Sequence, residues 1–244
     1  MEREIFYLTY SKVGKLISEG ITRAILPVGT LEAHGPHLPL GTDTIIPYEL
    51  AKVLANKLNA LILPPIPYGV VTSLLGYPGS ITISKETLEA MVYEIITSFS
   101  RHGVDTFIIL NGHGGNNAAL ENVARRLWVE RKLKIILIHW WIFASDLTLE
   151  VLKEPAGHAG IDETAAIIAT HPNLVDKEAD IESEIFLHTK GLSVYPSPGS
   201  IFLYDKEKKG KPKFDEELAN KFWVSLINFI YEQVSQILTK LEHR

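Results

Sequence analysis

The residues with the clearest chemical potential lie in one irregular stretch, GTLEAHGPHLPLGTD, which spans residues 29–43. It places two carboxylates and two imidazoles within twelve residues, at Glu32, His34, His37 and Asp43. The glycines and prolines among them exclude a regular helix. Because the stretch directly follows the apolar run Thr22–Val28, the pattern predicts a loop at the end of a strand.

These side chains suit a metal site. Carboxylate and imidazole without thiolate are ligands for Zn, Mn or Fe(II). Glu32 and His34 are two residues apart, so a short extended backbone would direct both to the same side. Asp43 stands just before a helical pattern, where a carboxylate gains from the positive end of the helix and could bridge two ions. The loop therefore predicts half of a two-metal hydrolytic site.

A second candidate loop, NGHGGN, spans residues 111–116. Its glycines let the backbone bend tightly around His113 and approach a ligand closely, so His113 is a further candidate metal ligand. Two alternatives stay open: an ordinary tight turn, or a phosphate cradle before the next helix. The loop lacks the Walker lysine and the GxGxxG spacing, which makes nucleotide binding the weaker interpretation.

A third cluster, GHAGIDET, spans residues 157–164 and leads from glycines into a helical pattern. His158 is a candidate acid/base or oxyanion stabiliser, and Glu163 is a candidate metal ligand or catalytic base. Asp162 is interpreted as an acidic residue that favours a first helical turn.

The remaining histidines are interpreted more conservatively. His37 is taken as a partner of the ligands or a loop residue, and His139 at the end of a strand stays ambiguous. Surface or satisfied core positions are expected for His102, His171, His188 and His243.

Alternating patterns along the chain predict the fold. Strand-like apolar runs are Thr22–Val28, Leu61–Ile66, Val104–Leu110 and Leu133–His139, and helical patterns are Tyr10–Glu19, Thr44–Leu58, Lys85–His102, Asn117–Lys132, Ile161–Thr170 and Phe214–His243. Continuous apolar strands separated by helices predict a mainly parallel sheet in a three-layer α/β/α domain. Residues 1–244 are expected to form one domain, with Leu187–Lys213 as a surface excursion.

The unusual residues all follow predicted strands. In an open parallel sheet, the loops at the carboxyl ends of the strands converge on one crevice, which is where ligands bind. We therefore expect one site built from these loops, with Trp141, Tyr68 and Ser80 as candidates to shape its pocket. As adjacent strand residues, Trp140 and Trp141 should face opposite ways, one toward the crevice or solvent.

Composition excludes several function classes. The 244 residues contain no cysteine, which excludes thiol nucleophiles and cysteine–zinc sites. A formal net charge of −5 argues against nucleic acid as the main partner. The charged amino-terminal segment does not fit a signal peptide, and no apolar run reaches membrane-spanning length. We expect a cytoplasmic protein with no membrane partner.

The three motifs together resemble the creatininase family of metal-dependent amidohydrolases, in order from about Ile21 to Thr170. The resemblance implies a parallel α/β fold, a dinuclear Zn, Mn or Fe centre, cleavage of C–N bonds in cyclic or linear amides, and a homo-oligomer, often a homohexamer. Position by position, it implies that Glu32 binds one metal and His34 the other. Asp43 would bridge them, His113 would add a ligand, and His158 would lie at the substrate.

Departures from the family pattern narrow the substrate. Creatinine-cleaving members carry a tyrosine and a metal-binding glutamate where this chain has Gly114 and Gly115, and a glutamate at the place of Gly157. The resemblance thus argues against creatinine itself and makes Glu163 the candidate to supply the missing carboxylate. The predicted function is hydrolysis of a small cyclic amide, linear amide or formamide.

Three alternatives accompany this prediction. One is a formylamino-pyrimidine ribonucleotide deformylase of archaeal flavin or deazaflavin biosynthesis. Another, of a different class, is a phosphate- or nucleotide-binding module without hydrolase activity. The third is a degenerate family member with a structural role only, which the intact set of candidate ligands argues against.

Overall fold

Four parallel strands form the central sheet of the protein. In the computed structural model, which describes residues 1–181, 186–187, 203–204 and 209–242, they are β1 (Arg23–Val28), β2 (Ala60–Ile62), β3 (Thr106–Asn111) and β4 (Lys134–His139). Their order across the sheet is β2-β1-β3-β4. Val28 pairs with Asn111, and Asn111 pairs with His139, so three strands end at the same level and present their following loops at one edge.

Helices cover both faces of this sheet. They are α1 (Tyr10–Ser18), α2 (Thr42–Lys57), α3 (Lys85–Ser100), α4 (Asn117–Arg131), α5 (Trp140–Phe143), α6 (Ser145–Leu152), α7 (Ile161–Thr170) and α8 (Glu216–Glu242). Two further short strands, β5 (Phe186–Leu187) and β6 (Leu203–Tyr204), pair in parallel with each other.

Strand residues alternate between two hydrophobic cores. Ile25, Ile108 and Leu110 pack with the buried faces of α2, α7 and α8. Leu26, Phe107 and Ile109 face the other way, toward α3 and α4. Because helices cover both faces of the sheet, the middle of each strand is apolar, as a covered parallel sheet requires. The predicted three-layer α/β fold is confirmed.

The second strand is shorter than predicted. The expectation was Leu61–Ile66, but the strand ends at Ile62. Pro64 and Pro65 carry no backbone N–H and therefore cannot donate to a neighbouring strand. The chain still runs beside β1, since the backbone N–H of Ile66 donates to the carbonyl of Pro27.

The tandem tryptophans were also placed wrongly as strand residues. They begin α5 at the end of β4, so the alternation expected of a strand does not apply to them. Trp140 is fully buried and Trp141 partly buried, both against the core shared by α2, α7 and α8. The short helices α5 and α6 had no predicted counterpart, because four- and eight-residue helices carry too little periodicity to detect.

Some helix ends follow local signals. Ser84 caps α3 by accepting the backbone N–H of Thr87, and Gly103 beyond its end has a φ of +98°. Helix α2 begins at Thr42, two residues earlier than expected, which places Asp43 in its first turn. The side chain of Asp215 accepts the backbone N–H of Leu218 at the start of α8.

Some sequence predictions fall outside the described residues. These include His188, His243 and most of the proposed excursion Leu187–Lys213. Within the described part of the chain, no helix is long and apolar enough to cross a membrane.

The cap of α3 gives a direct test of the fold. Replacing Ser84 with Ala should lower the free energy of unfolding by about 1 kcal/mol, because the N–H of Thr87 loses its acceptor. Urea denaturation would measure this difference. Ser84→Asp keeps a capping oxygen and should retain most of the stability; an equal loss in both variants would contradict the capping role.

Candidate metal centre

Six of the predicted site residues meet at the carboxyl edge of the sheet. The loop after β1 contributes Glu32 and His34, α2 contributes Asp43 and the loop after β3 contributes His113. His158 comes from the turn that precedes α7, and Glu163 comes from the first turn of α7. The side chains of Glu32, His34, Asp43 and Glu163 are at most 9% exposed, so this charged cluster is nearly dry.

Close backbone packing places Asp43 at the centre of the cluster. The first turn of α2 lies against the ends of β1 and β3 at two glycines. A Cβ at Gly29 would lie 2.4 Å from the carbonyl oxygen of Asp43, and a Cβ at Gly112 would lie 1.9 Å from the same atom. Only glycine permits this approach, which explains why a glycine follows β1 and another follows β3.

The two carboxylate oxygens of Asp43 face two different histidines. Oδ1 lies 2.9 Å from Nε2 of His34, and Oδ2 lies 2.9 Å from Nδ1 of His113. Asp43 is therefore shared by two groups of candidate ligands: Glu32, Asp43 and His113 on one side, and His34, Asp43 and Glu163 on the other. In each group the candidate ligand atoms lie within 4.8 Å of one another.

A second carboxylate completes each group. Oε1 of Glu32 is 3.1 Å from Nδ1 of His113. Oε2 of Glu163 is 3.7 Å from Nε2 of His34 and accepts the backbone N–H of Ala159 at 2.7 Å. Glu32 also faces Nδ1 of His158 at 3.7 Å, which forms a third possible grouping of Glu32, His34 and His158.

Backbone carbonyls fix the orientation of all three rings. Nδ1 of His34 lies 3.0 Å from the carbonyl oxygen of Glu32. Nε2 of His113 lies 2.9 Å from that of Val70, and Nε2 of His158 lies 2.8 Å from that of Ala33. Since a carbonyl only accepts, each of these nitrogens carries a proton, and the other ring nitrogen is turned toward the carboxylates. This is the arrangement typical of metal-binding histidines.

The charge balance supports a cation at this position. Burial lowers the pKa of His34, but the carboxylates of Asp43 and Glu163 outweigh it and raise the pKa to about 10. The pKa of His113 also rises well above its ordinary value against the effect of burial. Conversely, burial favours a higher pKa for Asp43, yet the two histidines hold it below its usual range. Dry carboxylates thus draw in positive charge, and the donor set fits divalent metal ions.

His158 differs from the other two histidines. Burial and the positive charge of His34 lower its pKa to about 4, so its ring is neutral near pH 7. Its side chain is 13% exposed, compared with 0% for His34. Burial raises the pKa of Glu163 well above its ordinary value, although the charge of His34 opposes this shift.

The three predicted pocket residues occupy different places. Ser80 lies beside the cluster, where its hydroxyl accepts the backbone N–H of Ala33. Trp141 lies next to the second loop, with Cζ2 3.8 Å from the position of a Cβ on Gly114. Tyr68 is 42% exposed and lines an apolar groove beside α3 with Met91. The contact of any of them with substrate stays a prediction.

Three residues that were not predicted as ligands, His37, Asp162 and His139, form hydrogen bonds close to the cluster. His37 is buried, and Nε2 lies 2.9 Å from Oγ1 of Thr164; burial lowers the pKa of His37 to about 4. Asp162 lies in the first turn of α7 as predicted, but it is buried and accepts the backbone N–H of Gly157. His139 accepts from the amide of Asn111.

Of the four histidines expected at surface or satisfied core positions, His102 and His171 lie in the described part of the chain. His102 is exposed. The side chain of His171 is 35% exposed and lies 3.7 Å from a carboxylate oxygen of Glu49.

Two asparagine side chains that hold the loops together were not among the predicted site residues. The side-chain amide of Asn116 donates to the carbonyl of Gly29 and accepts the backbone N–H of Val70, so it joins the loops after the first three strands. Asn111 bonds both the N–H and the carbonyl of His113. Asn111 and Asn116 are the first and last residues of NGHGGN, and these positions at the loop ends could have indicated their role.

Fold and site together define a class: a parallel α/β protein with a buried carboxylate–histidine cluster at the carboxyl edge of its sheet. The sequence model of the creatininase family, described as creatinine amidohydrolase, matches residues 7–196. The chain belongs to the creatininase family, whose members are hydrolases.

Known relatives differ in their substrates. The creatinine amidohydrolase of Pseudomonas putida is 27% identical over 202 residues, which is 75% of this chain and 78% of the relative. A mycofactocin precursor peptide peptidase of Mycolicibacterium smegmatis is 30% identical, covering 63% and 60%. A 2-amino-5-formylamino-6-ribosylaminopyrimidin-4(3H)-one 5'-monophosphate deformylase of Methanothermus fervidus is 28% identical, covering 83% and 74%.

Solved structures agree on the fold. A creatinine amidohydrolase structure superposes with a TM-score of 0.81 at 23% identity, covering 96% of this chain and 97% of the other. Structures with the same fold include a Zn–Zn form of a creatininase mutant, at a TM-score of 0.81, and a Mn form of creatininase, at 0.79. Both are 22% identical and cover 97% of this chain and 98% of the other.

Two neighbouring glycines test how Asp43 is placed. Gly112→Ala should displace the start of α2, because its Cβ would overlap the Asp43 carbonyl, and should lower both the melting temperature and bound transition metal. Gly114→Ala is the matched control, since its nearest neighbour would be at 3.8 Å. Calorimetry and elemental analysis would measure both effects. Equal behaviour of the two variants would contradict the packing argument.

Proposed function

We propose that the protein is a metal-dependent amidohydrolase that cleaves a C–N bond of a small cyclic amide, linear amide or formamide. One observation carries the proposal: the two oxygens of Asp43 face separate groups of ligands, one with Glu32 and His113, the other with His34 and Glu163. A carboxylate shared in this way is the central feature of a two-metal hydrolytic site.

Two divalent ions, Zn, Mn or Fe, would be held by these two groups. The oxygen and imidazole donors suit these metals, and the Zn–Zn and Mn forms of creatininase support the choice. Bound there, such ions would make a water nucleophilic near neutral pH and polarise the scissile carbonyl. The carbonyl-anchored rings of His34 and His113 supply ligands that need no reorientation.

His158 and Glu163 are the proposed catalytic residues. With its Nε2 proton held by the carbonyl of Ala33, neutral His158 presents an unprotonated Nδ1 toward the cluster. It can therefore accept a proton and return it to the leaving nitrogen. Glu163 is proposed as a metal ligand that also takes a proton from the attacking water, since one of its oxygens is fixed by the N–H of Ala159.

We propose only the class of substrate, an amide, because the site differs from that of creatinine-cleaving enzymes at Gly115. Gly115 has no room for a side chain, because a Cβ would lie 2.0 Å from the carbonyl of Val70, so no carboxylate can enter from this position. Glu163 is proposed to supply the carboxylate instead.

The relative from Methanothermus fervidus favours a formylamino-pyrimidine ribonucleotide deformylase as the second candidate. We also propose a homo-oligomer, a homohexamer in the family pattern, built from one domain of residues 1–244.

Metal analysis tests the proposal directly. Purified protein should carry about two equivalents of transition metal per chain. Removing the metal with a chelator should abolish hydrolysis of the active amide in a panel that includes formylamino-pyrimidines and creatinine, and metal restores it. A metal-free protein that binds phosphate or nucleotide undiminished after chelation would instead support the binding-module alternative.

Asp43→Asn tests the bridging role. The amide keeps the shape of the side chain but removes the charge that both ligand groups share, so both metals should be lost together with activity. Asp105→Asn is the control, because Asp105 pairs with Lys134 at the opposite edge of the sheet. Elemental analysis and turnover are the measurements. Full metal content in Asp43→Asn would exclude the bridge.

A further inference from the structure

We propose that His37 is a positioning residue that fixes Glu163 at one of the two metals through a hydrogen bond to Thr164. The inference rests on the proposed two-metal function and adds a residue outside the ligand cluster to it. His37 would touch neither metal nor substrate and would act only through the helix that carries Glu163.

The position of His37 joins two separate parts of the site. It lies in the same loop as His34, yet its Nε2 reaches Oγ1 of Thr164, 127 residues away, at 2.9 Å. Thr164 follows Glu163 directly in the first turns of α7, and both His37 and Thr164 are at most 1% exposed. A hydrogen bond in such a dry place is strong and costly to lose.

The ring of His37 is held in place from other directions. Its face-to-edge contact with Phe214 has a centroid distance of 5.8 Å, and its backbone carbonyl accepts the N–H of Asp176 at 3.0 Å. The loop at His37 is therefore a fixed point, against which the start of α7 can be set.

Much of the contact between α7 and the core is apolar, although the backbone N–H of Ile161 at the start of the helix also donates to the carbonyl of Gly210 at 2.8 Å. Ile161, Ala165 and Ile168 are buried in the hydrophobic core beside α2. Such contacts are non-directional, so they fix how deeply the helix packs better than they fix its position along its axis. A hydrogen bond is directional. The bond from His37 to Thr164 is thus suited to setting the 3.7 Å separation between Glu163 and His34.

The other ligands depend on different supports. The backbone at Asp43 is packed between Gly29 and Gly112, and His113 is held by the carbonyl of Val70. Removing the His37–Thr164 bond should therefore lower the affinity for the metal ion held by His34, Asp43 and Glu163. The metal shared by Glu32, Asp43 and His113 should keep its affinity.

Isosteric variants on both sides of the bond test this. His37→Leu and Thr164→Val each remove the bond with little change in volume. In Co²⁺ titrations followed by absorption spectroscopy, each variant should lower the affinity for one of the two ions by about 10- to 100-fold. This is the loss expected when a residue that supports a metal ligand is removed. The double variant should be no weaker than the singles, because both remove the same interaction.

Two controls separate positioning from general support of the fold. His37→Gln can still reach Thr164 and should restore the weakened site. Thr170→Val makes the same chemical change on α7, where the Thr170 hydroxyl donates to the helix carbonyl of Ala166, and should leave both affinities unchanged. Thermal melting of every variant accompanies the titrations.

The outcomes distinguish this inference from the proposed function. Wild-type protein that binds two Co²⁺ ions, with variants that also bind both as tightly, would refute the role of His37 and leave the two-metal proposal intact. An equal loss of affinity for both ions, together with a lower melting temperature, would mean that His37 only supports the fold. Wild-type protein that binds no Co²⁺ would overturn both.

Discussion

The shared carboxylate of Asp43, buried between two histidines, is the constraint on which the rest of the site depends. A carboxylate this far from water needs positive charge close to both of its oxygens. The structure meets the need with His34 on one side and His113 on the other, each 2.9 Å away. Every other ligand is placed relative to these two, so an error in the position of Asp43 would disturb both groups at once.

Holding Asp43 there requires backbones to approach unusually closely. The glycines after β1 and β3 allow the first turn of α2 to touch both strand ends. The amide of Asn116 then ties the loops together, and its partner Val70 holds the ring of His113. The parallel sheet supplies the common edge, but glycine contacts and asparagine amides convert that edge into a defined cluster.

Much of the architecture could be predicted because it follows from local periodicity. The α3 helix, its cap at Ser84 and the apolar β3 strand are encoded within a few neighbouring residues. Predictions failed where the local signal was weak or misleading. The run after β2 is apolar, but its prolines cannot pair, and the tandem tryptophans continue an apolar strand while their backbone turns into a helix.

By itself, the sequence determined the chemical identity of the site: carboxylates and imidazoles without thiols, placed after strands that must end at one edge of a parallel sheet. Only the tertiary structure decided which side chains share a position. It turned Asp43 toward two histidines, brought Glu163 to His34 and joined His37 to Thr164 across 127 residues. The physical reason is that ligand type and strand pattern are local properties, whereas the pairing of buried polar groups depends on which distant segments exclude water together.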